Sequence, residues 1–335
     1  MIKKQRGNIL RVSVIGLGYI GLPTAALIAS ENIKVLGIDI NPEIIDTVTK
    51  GETGIVEPGL EKLVSSVVQS KFLTASMKLE SSDVFLITVP TPITKDYLPN
   101  INHVEAAVES IAPLLKIGNL VILESTSPVG TTEKMVELFK KLRPDLDFPD
   151  FYNKSEIPDI NIVYSPERVL PGNILQELRA NDRIIGGVSN TCSQEGSDFY
   201  KRFVDGDCLI TDVRTAELCK LTENSFRDVN IAFANELSII ADENEINIWE
   251  LIKLANLHPR VNILQPGPGV GGHCIAVDPW FIISQDFENT KLIRSARNIN
   301  NYKTKWVINK IKNAADEYVF KTKIKPKIAC LGLAF

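Results

Sequence analysis

Cysteine and histidine are scarce in this chain, and neither is arranged for a metal. The five cysteines, Cys192, Cys208, Cys219, Cys274 and Cys330, are an odd number without a CxxC pair. That pattern argues against a disulfide framework and against a zinc site, and fits a reduced cytoplasmic setting. The three histidines, His103, His258 and His273, form neither HExxH nor HxxxH, so no metal is expected. A basic surplus is missing too: Lys+Arg 37 against Asp+Glu 41 leaves a net charge of −4, which is no footprint for nucleic acid. No apolar run approaches the roughly 18 residues of a membrane span; the longest, such as Val84 to Val89, have the length of buried strands. Lys3, Lys4 and Arg6 ahead of the apolar stretch Ile9 to Ala29 imitate a secretory leader, but that stretch holds a glycine pattern and Pro23, and a second apolar run ending in an acid follows it.

What is present is enough for about two domains: 335 residues, 44% of them hydrophobic and 23% charged. The β-branched runs LRVSVI (10–15) and KVLGIDI (34–40) flank a glycine-punctuated segment and a helix-compatible stretch from Thr24 to Ser30, which makes a βαβ unit. Further strands are expected at 84–89, 120–124, 161–164 and 183–188, with helices at 58–70, 103–116 and 131–142 between them. The alternation predicts an α/β domain with a doubly wound, mostly parallel sheet, and the Pro-, Asp- and Asn-rich stretch Pro144 to Asn161 reads as a surface loop within it. After about residue 210 the character changes. Thr215 to Glu245 contains no Gly or Pro and has apolar residues at helical spacing, and a second helical pattern covers Asn289 to Lys321. Between them lies QPGPGVGGHC, richer in Gly and Pro than a connection needs. Residues 327–335 (KIACLGLAF) begin a strand with nothing to pair against, the mark of a further domain.

The chemistry-bearing motif of the first half is GLGYIG. Gly16, Gly18 and Gly21 follow a strand and open a helix, and Asp39 ends the next strand. In that setting the first glycine permits a tight turn, the second admits a pyrophosphate to the backbone and the third lets helix pack on strand. The helix N-terminus presents N–H groups to the phosphates. Asp39 accepts ribose hydroxyls and repels a 2′-phosphate, and no Arg follows it, so NAD is expected over NADP. Thr91 in VPTPI and Thr126 in ESTSPVGTT sit at later strand ends, where they face the nicotinamide half of such a cofactor or serve only turn chemistry. Cys274 closes the glycine-rich loop with Asp278 four residues on; it is a nucleophile if cations stabilise its thiolate, and otherwise a small structural residue like the other four cysteines. Lys220, Asn224 and Arg227 share one face of the long helix, either solvated or lining a cleft, while Leu221, Phe226, Val229 and Phe233 are its expected packing positions. Arg168 and Arg260 are surface cations or contacts for an anionic substrate.

Taken in order, GLGYIG, ESTSPVG, SPERVLPG, KLTENSFRDVNIAFANEL and GPGVGGHCIAVDPWF resemble the UDP-glucose/GDP-mannose dehydrogenase family from about residue 10 onward. The resemblance implies a Rossmann-type NAD-binding domain over 1–210, a helical dimerising and active-site domain over 211–322, and the start of a truncated UDP-binding domain of Rossmann-like fold over 323–335. It implies an NAD-dependent four-electron oxidation of a sugar nucleotide at C6. Cys274 matches the family nucleophile, Lys220 the residue that exchanges the proton and stabilises oxyanions, Asn224 and Asp278 its polar partners, and Thr126 and Glu167 groups that position water. Arg168, Val169, Lys220, Asn224, Arg227, His258, Arg260 and Gly271 match substrate contacts. Tyr19, Ile20, Thr91 and Thr126 join Gly16, Gly18, Gly21 and Asp39 around NAD. Pro171, Val277 and His273 depart from the UDP-glucose pattern and are similar to the branch acting on N-acetylated amino sugars. The expected partner is therefore a UDP-N-acetylhexosamine, with AVDPWF, where others have GVDPYY, favouring N-acetyl-D-mannosamine over N-acetylglucosamine. A homodimer is expected. If the further domain supplies much of the uridine site, the 335-residue chain is expected to bind NAD but turn over weakly.

Overall fold

The structure is a computed structural model that describes residues 10–153 and 157–331. The first half alternates strand and helix: β1 (Arg11–Ile15), α1 (Gly21–Ser30), β2 (Lys34–Ile38), α2 (Pro42–Thr49), α3 (Leu60–Gln69), β3 (Leu73–Ser76), β4 (Val84–Ile87), α4 (Asn102–Ile111), β5 (Leu120–Leu123), α5 (Thr131–Leu142), β6 (Asn161–Tyr164), α6 (Ile174–Ala180), β7 (Arg183–Gly187), α7 (Asn190–Tyr200) and β8 (Cys208–Asp212). These strands form one sheet in the order β3-β2-β1-β4-β5-β6-β7-β8. Every described pairing is parallel except β6 with β7, where Val163 faces Gly187 and Tyr164 faces Gly186.

Burial explains why these segments are strands. β4, β5 and β6 are buried at every position, as expected where helices cover both faces of a parallel sheet. α1 is almost wholly apolar and buried, and its Ala25, Ala26 and Ala29 let it lie close against the strands. Several N-termini are capped: Asn41 accepts from the Glu43 amide ahead of α2 and Ser189 from the Cys192 amide ahead of α7.

The second half is helical: α8 (Val213–Glu243), α9 (Ile248–Ala255), α10 (Asp278–Gln285) and α11 (Lys291–Thr322). By contacts the chain divides into two units. One holds the residues up to Thr94 and Pro99–Lys220; the other holds Lys95–Leu98 and the residues from Leu221. Within the second unit Tyr97 stacks on Trp280 at 4.1 Å, and α8 and α11 meet through buried polar side chains. Arg297 donates to Asp228 (2.6 Å), Asn300 to Asp228 (2.8 Å), Asn235 to Asn300 (2.9 Å) and Lys303 to Ser238 (2.7 Å).

That polar seam corrects one expectation. Leu221 packs inward, but Phe226 and Phe233 are 68% and 51% exposed, because the buried face of α8 runs through Asp228, Ala232 and Asn235 instead. Cys330 is likewise exposed and outside any regular element, not a core residue. Residues 327–331 carry no strand, having no neighbouring strand to bond with, and 332–335 lie outside the described residues.

Candidate active site

At the carboxyl ends of the parallel strands the first unit builds a cradle. Gly16 leaves β1 at φ +99°, and a Cβ there would lie 2.8 Å from the Thr88 carbonyl oxygen; at Gly21 a Cβ would sit 1.8 Å from the Gly16 carbonyl oxygen. Nothing lies within 4 Å of the corresponding point on Gly18, so the backbone there is open to a ligand. No side chain caps α1, and although the Leu22 amide donates to the Gly18 carbonyl at 3.1 Å, the positive dipole end of the helix is left for an anion. Asp39 follows β2 directly. Its Oδ2 accepts from the Leu17 amide and its Oδ1 from the Asn41 amide, each at 2.9 Å, so the acid is fixed to the glycine turn it is expected to serve. Open backbone, an uncapped helix start and an anchored acid fit a dinucleotide. Tyr19 is 43% exposed beside them, Ile20 half-buried.

The next strand ends continue the same edge. Thr91 Oγ1 donates to the Thr126 carbonyl at 2.5 Å, which brings those two predicted residues together. Thr88, which the sequence reading did not single out, donates to the Gly16 carbonyl at 2.8 Å and ties β4 to the glycine turn.

Beyond β6, Glu167 is 7% exposed. Its Oε1 accepts from the Arg168 amide at 2.7 Å and its Oε2 lies 2.6 Å from Arg183 Nη2. Behind the pair, Glu124 accepts from the Tyr200 hydroxyl at 2.6 Å. Burial pushes the Glu124 carboxyl up to about 7, against the pull of Arg183 and with a further push from Glu167. Burial lowers the Arg183 pKa, but Glu167 and Glu124 together hold it above the usual guanidinium range. Arg168 and Val169 are half-buried.

Lys220 is half-buried on α8. One turn before it Glu217 accepts from the Gly130 amide (2.6 Å), the Thr132 amide (2.9 Å) and the Thr132 hydroxyl (2.7 Å), closing the start of α5. Burial pushes Glu217 up to about 7 although these donors pull it down. Glu124, Arg183 and Glu217 escaped the sequence reading. The one available signal was that each is a charged residue beside or within an apolar run.

In the second unit Asn224 donates to Asp278 Oδ2 at 2.5 Å, with both residues buried. Asp278 opens α10, and its amide donates to the Cys274 carbonyl at 2.9 Å; the Val277 amide does so at 3.0 Å. Cys274 is thereby held in a turn one step before the helix, exposed, with Gly271 and His273 exposed beside it. Upstream, the Gly267 amide donates to Asn235 at 2.9 Å, which fastens the glycine loop to the α8–α11 seam. Arg227, His258 and Arg260 are exposed, and the Arg260 amide donates to His258 Nδ1 at 3.3 Å. Cys192 offers a contrast: fully buried, it has its thiol pushed up by burial, which makes it inert.

A doubly wound sheet with a dinucleotide cradle, followed by a helical unit that carries an exposed thiol on a glycine loop, is the architecture of a dinucleotide-dependent oxidoreductase. The chain matches the UDP-glucose/GDP-mannose dehydrogenase family in both its NAD binding domain (residues 10–204) and its central domain (residues 214–302), and it belongs to that family. It is 57% identical over 327 residues to the UDP-N-acetyl-D-mannosamine dehydrogenase of Escherichia coli K12, covering 97% of this chain and 77% of that one. It is 54% identical over 324 residues to the NDP-N-acetyl-D-galactosaminuronic acid dehydrogenase of Ralstonia nicotianae, covering 97% and 75%. Among solved structures it is similar to the UDP-D-ManNAc dehydrogenase of Pyrococcus horikoshii, at a TM-score of 0.86 and 41% identity over 95% of this chain and 73% of that one.

Proposed function

We propose that this chain is an NAD-dependent UDP-sugar 6-dehydrogenase that oxidises UDP-N-acetyl-D-mannosamine to UDP-N-acetyl-D-mannosaminuronate for surface polysaccharide synthesis. The observation that carries the reading is the exposed Cys274, fixed through its carbonyl at the start of α10 beside the buried Asn224–Asp278 bond. The identity to the mannosamine dehydrogenase supports the sugar.

NAD would be held by Gly16, Gly18, Tyr19, Ile20, Gly21, Asp39, Thr91 and Thr126, and two NAD+ molecules in succession would each accept one hydride. The balance is R–CH2OH + H2O + 2 NAD+ giving R–COO− + 2 NADH + 3 H+. Lys220 takes the proton of the C6 hydroxyl and stabilises the oxyanions that follow. Cys274 Sγ adds to the aldehyde carbon, and oxidation of this thiohemiacetal leaves a thioester. Water then forms a C–O bond as the C–S bond breaks, and the sulfur regains a proton. Thr126 and Glu167 position that water; Asn224 and Asp278, bonded to each other, fix the start of α10 and through it the nucleophile loop. Arg168, Val169, Arg227, His258, Arg260 and Gly271 bind the sugar nucleotide, the cations its diphosphate.

We place the protein in the cytoplasm as a homodimer joined through its central helices. The outward apolar stripe Phe226, Phe233, Ile240 on α8 supports the dimer, and no helix among the described residues is long and apolar enough to cross a membrane. The test is NADH formed per sugar nucleotide, with UDP-N-acetylmannosamine and UDP-N-acetylglucosamine offered separately. About two NADH per UDP-N-acetylmannosamine, abolished by Cys274→Ala, is expected. Activity confined to the glucosamine epimer would keep the mechanism and replace the sugar. A Cys274→Ala enzyme with undiminished steady-state NADH would sink the thioester route.

A further inference from the structure

β7, together with its parallel neighbour β8, runs opposite to β1–β6, so its first residue arrives where those strands end. The ladder that sets Tyr164 against Gly186 and Val163 against Gly187, continued outward, sets Glu167 against Arg183. There the two side chains meet, Nη2 to Oε2 at 2.6 Å, 3% and 8% exposed. The other oxygen of Glu167 is taken by the Arg168 amide, so the carboxylate is held at both ends and keeps only its remaining lone pairs for a ligand.

Arg183 serves a second buried acid. Its Nη1 lies 3.5 Å from Glu124 Oε1, and its guanidinium lies over the Tyr200 ring at 4.8 Å. One buried cation shared by two buried carboxylates is a costly way to fill a core, since apolar side chains of the same volume often do as well or better. What the arrangement does provide is a fixed direction for Glu167.

We propose that Arg183 is a positioning residue that aims the Glu167 carboxylate at the water that hydrolyses the Cys274 thioester, and that Glu124 governs how much of the Arg183 charge Glu167 receives. The proposal rests on the four-electron reading above. In the step concerned the water oxygen bonds to the acyl carbon, the C–S pair returns to sulfur, and one water proton restores the thiol. The product acid releases the other to solvent, and Glu167 accepts a hydrogen bond from the water throughout. The groups facing Glu124 are Arg183 from β7, Glu167 from the segment after β6 and Tyr200 from α7. A protonated Glu124 leaves Arg183 to Glu167 alone; an ionised one divides it, so hydrolysis slows as pH rises through about 7.

Arg183→Lys in the intact protein tests this. Expected are a steady-state kcat lower by about 10- to 100-fold, a first-turnover NADH burst and an NAD KM near wild type, and an acyl adduct on Cys274 visible by intact mass. A wild-type kcat, or a burst that falls together with kcat, overturns the proposal. Should Arg183→Lys fail to fold, Glu124→Gln decides: the decline of hydrolysis above about pH 7 is expected to vanish, and an unchanged profile overturns the idea. A wild-type enzyme that yields one NADH per sugar would instead sink the four-electron reading, whatever Arg183 does.

Discussion

Gly18 and Gly21 belong to one motif yet answer to different constraints. A methyl group on Gly21 would collide with the Gly16 carbonyl at 1.8 Å, whereas one on Gly18 would meet nothing within 4 Å. Gly21→Ala is therefore expected to lower both the thermal midpoint and NAD affinity, and Gly18→Ala to spare the midpoint while weakening NAD at least tenfold; calorimetric unfolding and NAD titration separate the two. Glu124 gives a second prediction. Burial raises its pKa from 4.5 to about 7, so between these values the folded chain holds a proton that the unfolded chain releases. The resulting stability is complete below about 4.5 and fades as pH climbs through about 7. The urea midpoint is expected to fall between pH 6 and 8, and Glu124→Gln, which cannot ionise, to blunt that fall. The glycines and Asp39 were legible in the sequence because a tight turn and a close helix–strand approach impose residue type at fixed spacing. Glu124, Arg183 and Tyr200 were not: a buried ionic cluster gathers partners from distant strands and leaves no period.

Glu217 binds one helix to the beginning of another. Three donors from Gly130 and Thr132 converge on its carboxylate, and the turn of α8 that carries Lys220 follows immediately. Glu217→Ala leaves those donors buried without an acceptor and is expected to cost about 3 kcal/mol, measured by denaturant unfolding, and to lower kcat by more than it changes the NAD KM. The main elements were readable from pattern alone. β4 and β5 are continuous apolar runs, β6 is one after its leading Asn161, and α8 and α11 are long stretches without breakers. β3 and β8 were not, because they flank the sheet: β3 mixes buried with exposed positions and β8 has no buried position at all. α2, α9 and α10 are too short for helical periodicity to declare itself. The polar seam of α8 with α11 misled the reading of Phe226 and Phe233, since a helix that buries Asp228 and Asn235 turns its aromatic residues outward.

For the whole molecule, Phe226, Phe233 and Ile240 recur every seventh residue at 68%, 51% and 50% exposure, a seam that a second copy of α8 would cover. Phe233→Glu is expected to halve the mass seen by light scattering and leave the far-ultraviolet circular dichroism unchanged; an unaltered mass would place the subunit contact elsewhere. The reversed strand has an architectural meaning as well. Every crossover between neighbouring parallel strands must traverse the sheet, so its length is tied to the strands it spans. The connection from β6 to β7 leaves and re-enters at the same edge, carrying α6, whose first amide, that of Ile174, donates to Glu57 at 2.7 Å while the Gly172 amide just ahead of the helix donates to it at 2.9 Å. Its length and composition can drift without rethreading anything, which makes residues 168–181 an exchangeable cassette on the ligand side of the sheet. Swapping this cassette with that of a relative that takes another sugar is expected to yield a folded hybrid, a route by which one scaffold diversifies its substrates.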